Sequence, residues 1–176
     1  MKKYSIYIVL IILIAGLFFI PGIKEKLFPI AEIKDYVQVD KKDYDVELKG
    51  INVPSTNLQN LYGNKVVFLN FWGTWCAPCR KEWPSIEALY NSHRDKMDFV
   101  LIAMMDKEED VIKFMKENNY TAPVYIAQSP IGEKLLPKVF PTTFLLDKEG
   151  RILQKETATK DWSAESVLKF IDQVTK

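Results

Sequence analysis

The chain has 176 residues, 24 lysines and arginines against 23 aspartates and glutamates, and a formal net charge of +1. That balance argues against a nucleic-acid-binding surface, and the length suits about one globular domain. Two cysteines cannot build a disulfide-stapled mini-fold, and with one histidine beside them they fall short of the usual zinc ligand set.

Met1-Lys2-Lys3 precedes Tyr4 to Ile20, a run of about 17 uncharged residues near the lower limit for a membrane helix. Pro21-Gly22 ends it. A cleaved signal peptide would carry a shorter apolar region and a small-x-small site, which Leu17-Phe18-Phe19-Ile20 does not offer. The expectation is one uncleaved N-terminal transmembrane helix over residues 1–21, a charged tether over 22–43 and a folded domain over 44–176. Lys24 and Lys26 nearly balance Lys2 and Lys3, so flanking charge barely sets the orientation. An anchor at the extreme N-terminus most often leaves a short tail inside, which puts the domain on the extracytoplasmic or periplasmic side of the cell membrane.

Val46, Leu48, Ile51 and Val53 alternate around Gly50, as in a hairpin or edge strand, and a short helical turn with Leu58 and Leu61 follows. Val66 to Trp72 is a near-continuous apolar run, the pattern of a central strand buried on both faces. Gly73-Thr74-Trp75 turns the chain, and Cys76 opens a helix reaching about Arg94, with Trp83, Ile86 and Tyr90 at helical spacing and Pro84 inside it. A second buried strand (Asp98 to Met104), a second helix (Glu108 to Asn119), a short strand (Pro123 to Ala127) and a helical turn or two (Ile131 to Leu136) come next. A strand follows Pro141, the Lys148-Glu149-Gly150 turn brings Arg151 to Lys155 back against it, and Ser163 is positioned to cap a last helix. Strands alternating with helices imply an α/β fold: a central mixed sheet with helices on both faces.

Cys76 and Cys79 carry the chemistry. The first helical turn has unpaired N–H groups and the positive end of the macrodipole, so a thiolate at Cys76 is stabilised and Cys76 is the expected nucleophile. Cys79 lies one turn on, within reach of a small disulfide ring, and Pro78 falls where a missing N–H costs nothing. A strand–CxxC–helix arrangement points to redox work rather than metal binding.

From about Tyr44 onward the chain resembles the membrane-anchored thioredoxin-like proteins of the TlpA/ResA group. The matching residues are Phe71-Trp72-Gly73-Thr74-Trp75-Cys76-Ala77-Pro78-Cys79-Arg80-Lys81-Glu82-Trp83-Pro84 and, later, Phe140-Pro141-Thr142-Thr143-Phe144-Leu145. The resemblance implies a thioredoxin-like fold and a redox-active Cys76–Cys79 disulfide with no other cofactor and no metal. It implies a cis-proline at Pro141 beside that disulfide, and a buried acid at Glu82 that holds a proton for Cys79. It also implies a substrate-docking surface of Trp75, Ala77, Pro78, Phe140 and Thr142, and an inserted helix and strand over 108–127. The partners implied are disulfide-containing substrate proteins and a transmembrane thiol reductase as electron donor, with cytochrome c maturation as one pathway.

Two departures stand out. Asn70 occupies the place of the buried aspartate of cytoplasmic thioredoxins, and the intervening dipeptide, Ala77-Pro78, lacks a histidine. Without that cation the Cys76 pKa is expected at roughly 7–8 and the potential nearer about −270 mV than about −120 mV. A peroxiredoxin-like peroxidase is a weaker alternative, because Thr74 precedes Cys76 by two positions rather than three. A copper-delivery protein of related fold would use a wider cysteine spacing and a distant histidine; His93 reads instead as a surface residue.

Overall fold

The strand Val66–Trp72 is buried at every position, and the sheet is built outward from it. The computed structural model describes residues 37–176. The expected anchor (1–21) and the first part of the expected tether lie outside the described residues. Among the described residues no helix is long and apolar enough to cross a membrane.

Seven strands, β1 (Glu47–Gly50), β2 (Thr56–Asn57), β3 (Val66–Trp72), β4 (Met97–Ala103), β5 (Val124–Ala127), β6 (Thr142–Leu146) and β7 (Ile152–Glu156), form one sheet in the order β2-β1-β5-β4-β3-β6-β7. β3, β4 and β5 run parallel, while β1, β2, β6 and β7 add antiparallel pairs at the flanks. Among the described residues there are also three α-helices, α1 (Ala77–His93), α2 (Glu108–Asn118) and α3 (Glu165–Val174), and two short 3-10 turns, Lys41–Tyr44 and Leu58–Leu61. α2 begins with Glu108, Glu109 and Asp110 on its positive end and stops at Asn119, whose left-handed backbone (φ 55) ends the helix. α1 runs on through Pro84 to His93.

Strand alternation sends side chains to two cores. Phe68 and Trp72 of β3 pack with Trp83, Ile86 and Leu89 of α1, Val111 and Met115 of α2, and Val167 and Ile171 of α3. Val67, Leu69 and Phe71 face the other way, onto Val39, Tyr44, Leu58 and Leu135. All three α-helices therefore share one face of the sheet, and the expectation of helices on both faces is corrected. The crossovers β3-α1-β4 and β4-α2-β5 step across the sheet in the same direction, so right-handed connections put both helices on the same side. The opposite face is covered by the 3-10 turns and by the segment after β5. That segment holds hydrogen-bonded turns (Leu135 N–H to Gly132 O, 2.9 Å) rather than the expected helical turn.

Two further expectations change. Residues 37–43, assigned to the tether, are packed onto the domain: Gln38 bridges to Arg151, Val39 N–H donates to Gly150 O (2.9 Å), and Val39 is fully buried. Val37 and Val39 alternate, but two apolar residues ahead of Asp40-Lys41-Lys42 are too short a run to signal burial. Ser163 does not cap α3, which starts after Ala164; its hydroxyl donates to Asp161 Oδ1 at 2.6 Å instead.

If residues 37–43 belong to the folded domain, Val39→Asp buries an unpaired charge. It should cost about 2 kcal/mol or more, seen as a lowered urea midpoint of the full chain. An unchanged midpoint would return this segment to the tether.

Candidate active site

The parallel strands β3 and β4 end side by side, and the turn leaving β3 is tied to the segment leaving β4. Met104 N–H donates to Trp72 O (2.8 Å), extending the ladder one step past the strands. At Gly73 a Cβ would lie 2.5 Å from Trp75 Nε1, so only glycine lets the indole fold back here. Trp75 Nε1 donates to Met104 O at 3.0 Å. Thr74 gives both its N–H and its hydroxyl to the Asp106 carboxylate, at 2.7 and 2.5 Å.

Cys76 is the N-cap of α1, with extended backbone (φ −88, ψ 102), and its Sγ accepts the Cys79 N–H at 3.2 Å. Sulfur here takes the place of the oxygen that usually caps a helix. Cys76 and Cys79 are joined in a disulfide, with Cα atoms 5.3 Å apart. Cys79 is fully buried, whereas Cys76 keeps 4 % exposure, so Cys76 is the sulfur an outside group reaches first. Ala77 and Pro78 are exposed beside it, and Trp75 is half-exposed.

Glu82 lies one turn past Cys79 on the buried face of α1, although Lys81 next to it is exposed. Asn70 has the same parity in β3 as Phe68 and Trp72, so its amide points to the α1 side. Asn70 Nδ2 donates to Glu82 Oε1 (3.1 Å) and to Thr143 Oγ1 (2.8 Å), Thr143 being its register partner in β6. Lys160 N–H donates to Glu82 Oε2 at 3.3 Å. Burial pushes the Glu82 carboxyl up to about 7, against the lowering effect of the hydrogen bonds from Lys160 and Asn70. A carboxyl at that value exchanges its proton at neutral pH, one helical turn from the buried sulfur.

The register Phe71↔Thr142 places Pro141 opposite Trp72, at the end of β3 from which the cysteine turn departs. The Phe140-Pro141 bond is cis. Phe140 meets Trp75 edge-to-face, with ring centroids 5.4 Å apart. Cys76, Cys79, Glu82, Pro141, Trp75, Ala77, Pro78 and Phe140 thus gather at one end of the sheet. Thr142 is the exception among the docking residues: it is 1 % exposed and its hydroxyl donates to Val139 O at 2.7 Å, so it offers no surface to a partner.

His93 is also corrected. It is buried, with Nδ1 2.7 Å from Ser92 Oγ and Nε2 3.5 Å from Asp172 of α3. It fills the gap between the C-terminal ends of two helices, far along α1 from the cysteines. Among the described residues no three His, Cys, Asp or Glu side chains are grouped to hold a metal ion.

Three participants escaped the sequence reading: Asp106, Thr143 and Lys160. Asp106 had a signal, because it is the first charge after a buried parallel strand and sites gather at the carboxyl ends of such strands. Thr143 needed the β3–β6 register, and Lys160 acts through its backbone, which no side chain announces.

Residues 38–169 match the Redoxin family. A thiol-disulfide oxidoreductase ResA of Bacillus cereus is 34% identical over 137 residues, covering 75% of this chain and 71% of that protein. The thioredoxin-like protein YneN of Bacillus subtilis is 34% identical over 119 residues, covering 66% of this chain and 69% of that one. Among solved structures, a DsbF homologue from Corynebacterium diphtheriae superposes with a TM-score of 0.59 at 28% identity, covering 81% of this chain and 95% of that one.

The Glu82 environment generates a stability prediction. Its folded pKa of about 7 lies above the ordinary carboxyl value of 4.5. Its contribution is therefore fully present below about 4.5 and lost as pH rises through about 7, where the folded state must hold a buried carboxylate. The oxidised protein should lose on the order of 2 kcal/mol from this group across that window. Glu82→Gln should remove the loss, leaving the variant more stable than the parent at pH 8 by denaturant titration. A parallel pH dependence in both proteins would contradict the assignment.

Proposed function

Because the chain belongs to the redoxin family and is a thiol-disulfide oxidoreductase of the ResA and thioredoxin type, we propose that it works as a reductant of disulfides in other proteins. The observation that carries this reading is the capping sulfur of Cys76, bonded to Cys79, at the one edge of the buried pair that solvent reaches.

In the reduced protein, Cys76 is the thiolate. It attacks one sulfur of a substrate disulfide; that S–S bond breaks, and the second substrate sulfur leaves with the electron pair and takes a proton. A mixed disulfide to Cys76 remains. Cys79 gives its proton to the Glu82 carboxylate, and the resulting thiolate attacks Cys76 Sγ. The first substrate sulfur leaves and is protonated in turn. Two electrons pass to the substrate, and the Cys76–Cys79 disulfide forms. Trp75, Ala77, Pro78 and Phe140 border the attacked sulfur and form the docking surface, with Pro141 behind it.

A dithiol that works this way must be recharged. The reading assigns that task to a transmembrane thiol reductase, and places the domain outside the cytoplasm on the 1–21 anchor, with part of 22–43 as spacer. The apolar run Tyr4 to Ile20 supports the anchor. Cytochrome c maturation is the pathway proposed, on the resemblance to the TlpA/ResA group.

The test is covalent capture. Cys79→Ala should leave the mixed disulfide unresolved and hold substrate proteins on Cys76, released by dithiothreitol and resolvable by diagonal electrophoresis. Cys76→Ala should hold essentially none. Equal capture by both variants, or by neither, would sink the reading.

A further inference from the structure

Asp106 lies outside the reacting pair and its proton acceptor, yet it grips the turn that delivers Cys76. We propose that Asp106 is a positioning residue for disulfide exchange, acting through a clasp that holds Thr74 and Trp75 against the end of β4; the proposal rests on the reading of Cys76 as the attacking sulfur.

The clasp has two anchor points. The Asp106 carboxylate takes both the N–H and the hydroxyl of Thr74, at 2.7 and 2.5 Å. Met104 O takes the Trp75 indole N–H at 3.0 Å. Between the anchors the backbone passes through the left-handed region at Met105 (φ 55), although Met105 is not glycine and its side chain is largely exposed. That turn lets the carbonyl before it and the carboxylate after it face the same strand end. From the other side, Arg80 Nη1 donates to Thr74 O at 3.2 Å. Thr74 is therefore fixed through its N–H, hydroxyl and carbonyl.

The consequences run in both directions along the chain. Forward, Cys76 N–H donates to Gly73 O (3.1 Å), so the turn that the clasp fixes also sets the angle at which Cys76 enters the helix. Outward, the held indole meets Phe140, next to Pro141, across the disulfide rim. One carboxylate thus governs the position of the attacking sulfur and of the aromatic wall beside it. Hydrogen bonds to a charged acceptor are the strong kind, and two from one residue fix orientation as well as distance.

The full chain serves as its own reporter. Trp75 is 49 % exposed, whereas Trp72, Trp83 and Trp162 are fully buried, so acrylamide quenching of the oxidised protein reads Trp75 almost alone. The rate constant for reduction of oxidised glutathione by the reduced chain reads Cys76. Asp106→Ala should raise quenching and slow exchange about tenfold. Asp106→Asn can still accept from the Thr74 N–H and donate to its hydroxyl oxygen, and should stay within about threefold of the parent on exchange with quenching unchanged. If Asp106→Ala fails to fold, Thr74→Val removes one of the two bonds and should slow exchange by about threefold.

Unchanged exchange in Asp106→Ala, or in Thr74→Val where that variant stands in, overturns the proposal. So does raised quenching with an unchanged rate, which would reduce the clasp to packing, and so does an Asp106→Asn variant as slow as Asp106→Ala. A parent chain that reduces no disulfide takes down the exchange reading itself. A parent that exchanges normally beside an unaffected Asp106→Ala takes down the Asp106 assignment alone.

Discussion

The constraint on which the rest depends is the junction where a fully buried strand hands the chain to a helix with a sulfur as its cap. β3 has no exposed position, so its end is fixed by the packing of two cores. After the three-residue turn Gly73-Thr74-Trp75 comes the cap of α1, whose first N–H groups need acceptors. Cys76 Sγ supplies one of them, 3.2 Å from the Cys79 N–H. A group that accepts a hydrogen bond and sits at the positive end of a helix is better accommodated as an anion than as a neutral thiol. The cap that starts the helix is therefore also the ground on which the attacking role is assigned to Cys76.

Behind that sulfur the protein keeps a second polar system out of water. Glu82, Asn70 and Thr143 form a buried chain of side chains across α1, β3 and β6, closed by the Lys160 backbone. With asparagine at position 70 of β3, the buried carboxyl of this network belongs to the helix, one turn from Cys79. The sheet register makes this possible: Asn70 and Thr143 are directly paired, and both face the helix layer. Desolvation holds the carboxyl near neutrality, the range in which it can both take and return a proton.

Much of this was legible in the sequence, for reasons specific to the elements concerned. Val66 to Trp72 has no polar side chain except Asn70, and Cys76-Ala77-Pro78-Cys79 follows at once; only a buried strand feeding a helix suits that order. Glu82 was singled out by the resemblance to the TlpA/ResA group, and its burial beside exposed Lys81 follows from helical phase. What stayed hidden depends on handedness and register. The two crossovers run in the same direction, which crowds α1, α2 and α3 onto one face; element order alone does not reveal that. Val39 is buried because Gly150, at φ 80, brings its carbonyl to the Val39 N–H. His93 is buried because α3 returns to cover the end of α1. Each is a contact between segments far apart in the chain, beyond the reach of any local pattern.

The central claim concerns the ranking of two thiols, and differential alkylation tests it most directly. The reduced protein would be treated with iodoacetamide across a pH series, with modification at Cys76 and Cys79 quantified separately by peptide mass spectrometry. The account predicts that Cys76 titrates first, at roughly 7–8 and below the ordinary thiol value of about 8.5, with Cys79 above it. A profile in which Cys79 titrates first, or in which Cys76 titrates at or above the free-thiol value, would contradict it.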